Sequence, residues 1–397
     1  MSNCYEENHY SLKELITPYS YNDKLLPIHG ILSITNRCNL SCPYCFHSQS
    51  KKDIDFYTAD MAVRYIISNA VIQKVKPNIS FFGGEPLLLF DEIIKPLINK
   101  YKDSINWTIT TNGTLLTENI IDFFTKNNVS ILLSIDGCKK VQDIQRPMKN
   151  EESSFDKLKN IIPYLLLKQP NTIFRSTISR YSLDYLEENI NTAKNFGFKY
   201  ITLVPNLFEE WQQEDFYKWE QFIDNEAIKI MQKISWEEPF DYILMNLKNG
   251  VQEINNSNKN TFLKNPIDAC GMGFKGIGIS PEGELHPCQE ENGLYNINII
   301  GDIYNGIDKQ LHEQYCQDIY NKWLTYINNI DNLPGSSNFK LFYGNNVCNT
   351  RLKDNFAFNN TQTYFLRVIH RACSRLYYNF NLSLNPRAQY FLGELEE

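Results

Sequence analysis

Apolar, β-branched runs recur through the first half of the chain at residues 30–35, 78–82, 107–111, 130–135, 172–178 and 200–204. Between them lie longer stretches with helical periodicity, at 58–73, 117–126, 155–167 and 183–196, each closed by a turn or breaker such as Asn195-Phe196-Gly197. Short strand-length runs alternating with helical ones predict an α/β fold with a parallel sheet and helices outside. Right-handed crossovers make this an open sheet or a partial barrel, with chemistry at the C-terminal strand ends. After Pro205 the pattern changes. Residues 209–236 and 240–249 predict helices rich in Trp, Tyr and Glu, and the polar run 255–260 predicts a linker. From Cys270 the chain turns loop-rich, with Gly271, Gly273, Gly276 and Gly278. These shifts divide it into an N-terminal extension (1–28), a barrel core (29–206), a helical continuation (207–260) and a smaller α+β C-terminal domain (261–397).

Composition narrows the function classes. A chain of 397 residues with 42% hydrophobic and 21% charged residues has the profile of a soluble globular protein. A net charge of −7, with no clustered basic stripe, gives no electrostatic case for nucleic acid. No apolar stretch approaches the roughly 20 residues that span a bilayer, and the polar, acidic N-terminus lacks a signal-peptide pattern. A cytoplasmic location is expected, where thiols stay reduced. The 10 cysteines then need an explanation other than disulfides, and metal ligation is the obvious one for those that cluster.

Cys38, Cys42 and Cys45 follow the first predicted strand, on a segment expected to be a loop. Thiolates are the natural ligands of iron–sulfur clusters, and close spacing lets one loop reach several irons. Three cysteines leave one iron of a cubane open, which a metal needs to bind a substrate or cofactor. Two other readings stand beside this: a structural zinc site completed by a distant fourth ligand, or unligated core cysteines.

The C-x3-C-x2-C spacing, with Tyr44 before the last cysteine, resembles the signature of the radical S-adenosylmethionine (SAM) superfamily. Gly83-Gly84-Glu85-Pro86 at the second strand end looks like that family's GGEP element. The resemblance implies that its backbone and Glu85 bind the amino group of SAM, with the glycines allowing close approach. Asn112 in Thr111-Asn112-Gly113 matches the TNG segment, and Ser134 and Asp136 match an SxDG segment whose polar side chains face SAM. Arg146 is similar to an arginine of the downstream loop, and Arg175 matches a position that pairs with the SAM carboxylate. The likeness runs from residue 29 to about 206. It implies a partial (β/α)6 barrel, a catalytic [4Fe–4S] cluster on the triplet, and reductive cleavage of SAM to a 5′-deoxyadenosyl radical that abstracts a substrate hydrogen.

Cys270, Cys288, Cys348 and Cys373 remain in the C-terminal region, and Gly283 lies five residues before Cys288. This looks like the start of a SPASM domain, an extension found on radical SAM enzymes that modify peptides and proteins. The usual dense cysteine run is missing, so the domain is partly degenerate. The resemblance implies one auxiliary iron–sulfur cluster on Cys270, Cys288 and Cys348, with Cys373 or an outside ligand. A cluster-free domain and a zinc site are the alternatives.

The substrate implied is a ribosomally made peptide, crosslinked, thioether-bridged or epimerised. The alternatives are a protein-maturing enzyme like the sulfatase maturases, a small-molecule enzyme, and an iron–sulfur carrier or scaffold. Sulfatase maturases carry an aspartate base right after a SPASM cysteine. Here Gln289 follows Cys288, leaving Glu290 as the candidate base. Expected partners are a flavodoxin- or ferredoxin-like reductant and a separate leader-binding protein, because 28 residues before the first strand are too few for a leader-binding domain. An exposed sheet edge is the alternative site for the leader.

Overall fold

The computed structural model describes residues 26–47, 51–206, 209–236, 238–259, 271–290, 298–331, 360–380, 383 and 385–393. The chain forms two compact units, one of residues 22–209 with 272–315, the other of 1–21, 210–271 and 316–397.

The first unit holds six parallel strands: β1 (His29–Thr35), β2 (Asn78–Gly83), β3 (Asn106–Thr111), β4 (Ser130–Ser134), β5 (Ile173–Ile178) and β6 (Tyr200–Pro205). They lie in sequence order, each paired with the next. Helices α1 (Phe56–Gln73), α2 (Lys95–Tyr101), α3 (Glu118–Lys126), α4 (Lys139–Gln145), α5 (Ser154–Lys168) and α6 (Leu186–Phe196) connect them. Local chemistry sets their ends. The Asp55, Thr117 and Ser153 side chains accept N-terminal amides of α1, α3 and α5, and Gly197 ends α6 at φ 95°.

Alternation gives the strands two faces. Leu32, Ile34, Ile79, Phe81, Ile109 and Phe174 are fully buried, and the packing is so close that a Cβ on Gly30 would meet Ile66 of α1 at 2.9 Å. The opposite face is polar. There His29 Nε2 lies 2.8 Å from Ser80 Oγ, which is 2.5 Å from Thr108 Oγ1.

The expected C-terminal domain does not form one body. In chain order, β7 (Ile243–Leu244) belongs to the second unit, whereas β8 (Gly276–Ile279), β9 (Glu284–His286), β10 (Gly301–Asp302) and β11 (Gly306–Ile307) extend the first unit's sheet. Strand β8 pairs parallel with β1, and β9, β10 and β11 follow antiparallel. This covers the β1 edge, so the sheet on that side ends in the two residues of β11 rather than in an open β1.

The second unit is helical: α7 (Gln213–Ser235), α8 (Met245–Lys259), the C-terminal part of α9 (Lys309–Asp331), α10 (Asn360–Phe380) and α11 (Pro386–Leu392). Arg371 of α10 pairs with Glu220 and Asp224 of α7, and Trp219 packs edge-on against Phe365 at 5.3 Å. The polar run read as a linker at 255–260 is helical as far as Lys259, because Asn255 turns inward and donates to the Leu392 carbonyl at 2.9 Å. The helix expected at 240–249 likewise begins only at Met245. No helix among the described residues is long and apolar enough to cross a membrane.

Candidate active site

The three cysteines lie on the loop that leaves β1. Its path is fixed from two sides. Leu40 bridges Met148, Ser41 N donates to Pro147 O at 2.9 Å, and Lys149 N donates to Asn39 O at 3.1 Å. At the loop start, Arg37 and Thr35 both bind Asp53, at 2.6 and 2.5 Å.

The Gly83-Gly84 pair passes directly beneath this start. Gly84 N donates to Thr35 O at 2.7 Å, and Glu85 N donates to Arg37 O at 2.9 Å. A Cβ would meet Thr35 O at 2.3 Å from Gly83 and Arg37 O at 2.1 Å from Gly84. The paired glycines lead one to expect close approach to a ligand. The partner seen here is the chain's own backbone.

Glu85 is completely buried. Its carboxylate accepts from Leu87 N (3.0 Å), Thr111 Oγ1 (2.7 Å) and Asn112 N (2.8 Å), so it joins β2 to the turn after β3. Loss of water outweighs these donors and pushes its carboxyl up to about 7. Asn112 in turn donates to Asn39 Oδ1 at 2.9 Å and to Cys38 Sγ at 3.8 Å, while Asn39 donates to Thr114 Oγ1 at 2.8 Å.

Asp136 is also fully buried. It accepts from Tyr44 Oη, Gln145 Nε2 (2.9 Å), Thr177 N (2.9 Å) and the Arg146 guanidinium (3.1 Å). Arg146 lies 5.6 Å over the Tyr44 ring. Glu85, Asn112 and Asp136, which the sequence assigned to cofactor contact, thus direct these bonds at the cysteine loop and strand ends. Sequence reasoning misses Tyr44 and Gln145 as the partners of Asp136. A hydroxyl one residue before a cysteine carries no spacing signal for a contact 92 positions away. Ser134 is buried at the end of β4, level with Arg175 in the strand register.

Burial lowers the Arg175 pKa, and repulsion from Arg146 adds to it, while Glu290 acts in the opposite direction. Glu290 comes near because the chain after β9 crosses β8 at Gly278, where a Cβ would meet the Cys288 carbonyl at 2.7 Å. On the same crossing segment, Gln289 Oε1 is buried with no hydrogen-bond partner.

The thiols act electrostatically on one another. Desolvation pushes Cys42 up to about 12, Arg146 works against that rise, and Cys38 is raised by burial as well. Such thiols hold their protons until a metal displaces them. No three His, Cys, Asp or Glu side chains among the described residues are close enough to chelate a single ion. His47, two residues past Cys45, packs on Phe46 and Phe82 at 4.5 and 5.3 Å, and burial lowers its pKa to about 4.

Of the C-terminal cysteines, Cys288 is buried beside β8, and Cys270 and Cys348 lie outside the described residues. Cys373 lies between α10 and α8, where its thiol donates to Leu247 O at 3.4 Å and a Cβ on Gly250 would come within 2.5 Å of its sulfur.

Consecutive parallel strands, with a three-cysteine loop after the first and polar strand ends gathered on it, define the class of iron–sulfur enzymes that use SAM. Residues 32–174 match the family described as the Radical SAM superfamily. An uncharacterized protein of Methanocaldococcus jannaschii is 36% identical over 203 residues, 46% of this chain and 68% of that protein. The chain belongs to the radical SAM superfamily, whose members bind a [4Fe–4S] cluster and SAM. The radical SAM cyclopropyl synthase TigE of Paramaledivibacter caminithermalis is 28% identical over 302 residues, covering 67% of this chain and 58% of TigE. A structure described as native anSMEcpe with bound AdoMet and Cp18Cys peptide superposes with a TM-score of 0.68, covering 89% of this chain and 99% of that one. Its identity of 16% makes the likeness one of fold.

Proposed function

We propose that this radical SAM enzyme modifies a peptide by removing a hydrogen from a backbone or side-chain carbon. The carrying observation is the β8–β9 hairpin joined to the β1 edge. It brings Cys288 and Gln289 back over β8, the neighbour of the strand that leads into the cysteine loop, and Glu290 acts electrostatically on Arg175. Residues from the C-terminal region would then share the site with the core. The likeness to TigE, a cyclopropyl synthase, and to a fold solved with a bound peptide supports the same reading.

Cys38, Cys42 and Cys45 would hold the cluster. Bound there, cluster and SAM supply the 5′-deoxyadenosyl radical that takes the substrate hydrogen. The chain's own residues do the rest. Arg175, a half-buried cation whose guanidinium has no hydrogen bond among those described, would receive the SAM carboxylate beside Ser134. Gly83 and Gly84 would present backbone to its amino group. Gln289 offers a neutral acceptor to a substrate donor, and Glu290 is the candidate proton acceptor. The auxiliary cluster would take Cys270, Cys288 and Cys348 with an outside ligand, since Cys373 is engaged by the Leu247 carbonyl.

The test is anaerobic incubation of the reconstituted enzyme with SAM, a low-potential reductant and a panel of short peptides, including any encoded beside its gene. A SAM-dependent mass change on the peptide is expected. Abundant 5′-deoxyadenosine from wild type, with peptides of every tested sequence unchanged and a small molecule consumed, would overturn the peptide reading.

A further inference from the structure

The carboxylate of Asp136 has no exposure and four donors: two side chains from the α4 region, one strand amide and one hydroxyl from the cysteine loop. A carboxylate has about four acceptor directions, so this one is saturated by protein. Its backbone is held as well. Asp136 N donates to Gln142 Oε1 at 2.8 Å, and its carbonyl accepts from Ser176 Oγ at 2.8 Å. Arg146 balances the buried charge and stays cationic despite its own desolvation. One of its donors, Nε, is buried with no partner. The same guanidinium acts electrostatically on the Cys42 thiol, and so does Asp136, in the opposite sense.

We propose that Asp136, Tyr44 and Arg146 form a buried clamp that positions the cysteine loop and sets the charge around the Cys42 sulfur. Asp136 is then a positioning residue rather than a contact to SAM. Tyr44 lies between Cys42 and Cys45, so tying its hydroxyl to the end of β4 fixes the loop segment between two of the three thiols. Arg146 pairs with Asp136 and lies 5.6 Å over the Tyr44 ring, so its charge stands beside the loop segment that carries two of the thiols. A buried pair of this kind is costly to break, because the remaining charge is left without a partner. The inference rests on the triplet being a cluster loop, and its test separates the two ideas.

The first arm needs no cluster. Amide hydrogen exchange across residues 38–47 is compared in cluster-free wild type and Tyr44→Phe, which loses one hydroxyl and keeps the ring. Exchange about tenfold faster is expected, the effect of losing a hydrogen bond to a charged group. The second arm is the midpoint potential of the cluster before SAM is added. Removing the guanidinium in Arg146→Met lowers it, and removing the carboxylate charge in Asp136→Asn raises it, since nearby positive charge favours the reduced cluster. Unchanged loop exchange overturns the clamp, and unmoved potentials overturn its electrostatic half. Variants that match wild type in both arms but lose SAM affinity make Asp136 a SAM ligand instead. Failure of wild type to take up iron strikes the cluster reading alone and leaves the exchange arm readable.

Discussion

Replacing Gly84 with alanine puts a methyl group 2.1 Å from the Arg37 oxygen and 2.6 Å from its carbonyl carbon, where an ordinary contact needs at least 3.4 Å. Backbone cannot swing aside as a side-chain tip can. The oxygen must retreat by roughly 1 Å, and that same oxygen accepts the Glu85 amide at 2.9 Å. Overpacking of this kind costs about 1–3 kcal/mol, and weakening the hydrogen bond adds about 1 kcal/mol. The displacement falls one residue before Cys38. Gly197→Ala provides the control. Its Cβ would meet only Leu166 at 3.8 Å, so it costs about 1 kcal/mol through its left-handed backbone (φ 95°) and leaves the loop alone. Urea unfolding of both cluster-free variants, followed by iron uptake, separates the effects. Gly84→Ala should lose stability and bind iron at less than half the wild-type level. Gly197→Ala should lose stability only. A Gly84→Ala protein with wild-type midpoint and iron content refutes the account of the Gly-Gly pair.

Other expectations follow from the same geometry. Glu85 titrates near 7 when folded against an ordinary 4.5, so its stabilising contribution is full below pH 4.5 and is lost as pH rises through 7. Cluster-free protein should lose about 3 kcal/mol over that window. Glu85→Gln should flatten this slope in urea midpoints read at pH 5 and pH 8; an unchanged slope assigns it elsewhere. Arg175→Met should weaken SAM binding at least tenfold by equilibrium dialysis, the scale of a hydrogen bond to a charged group, and unaltered affinity removes Arg175 from the carboxylate site. Cys373→Ala should cost about 1 kcal/mol and leave the iron count unchanged, whereas loss of about four irons would make it a cluster ligand.

The six-strand core was legible because each strand is a short apolar run and the longer helices between them are capped by Asp55, Thr117 and Ser153 or closed by Gly197, whereas the short helices α2 and α4, without side-chain caps, were not. The motifs were legible in order, since each falls at a strand end. Their contacts were not. Glycines that leave room for a ligand and glycines that leave room for the Arg37 carbonyl look the same in a sequence. Asp136 likewise reads as a ligand-facing carboxylate until Tyr44, Gln145 and Arg146 are seen to close around it. The Asn-rich run at 255–260 misled because polar composition marks both a linker and a helix whose Asn255 binds an interior carbonyl. The division at 261 failed because hydrogen bonding between β8 and β1 joins segments more than two hundred residues apart, which no local pattern records.

The most direct test of the central claim is anaerobic reconstitution of wild type and Cys42→Ala, with iron and sulfide counted and 5′-deoxyadenosine measured after adding SAM and a strong reductant. Wild type should yield 5′-deoxyadenosine, Cys42→Ala should yield none, and the variant should hold about four fewer irons per chain. Wild-type protein that binds zinc without cleaving SAM, or a Cys42→Ala variant that cleaves SAM at the wild-type rate, would contradict it.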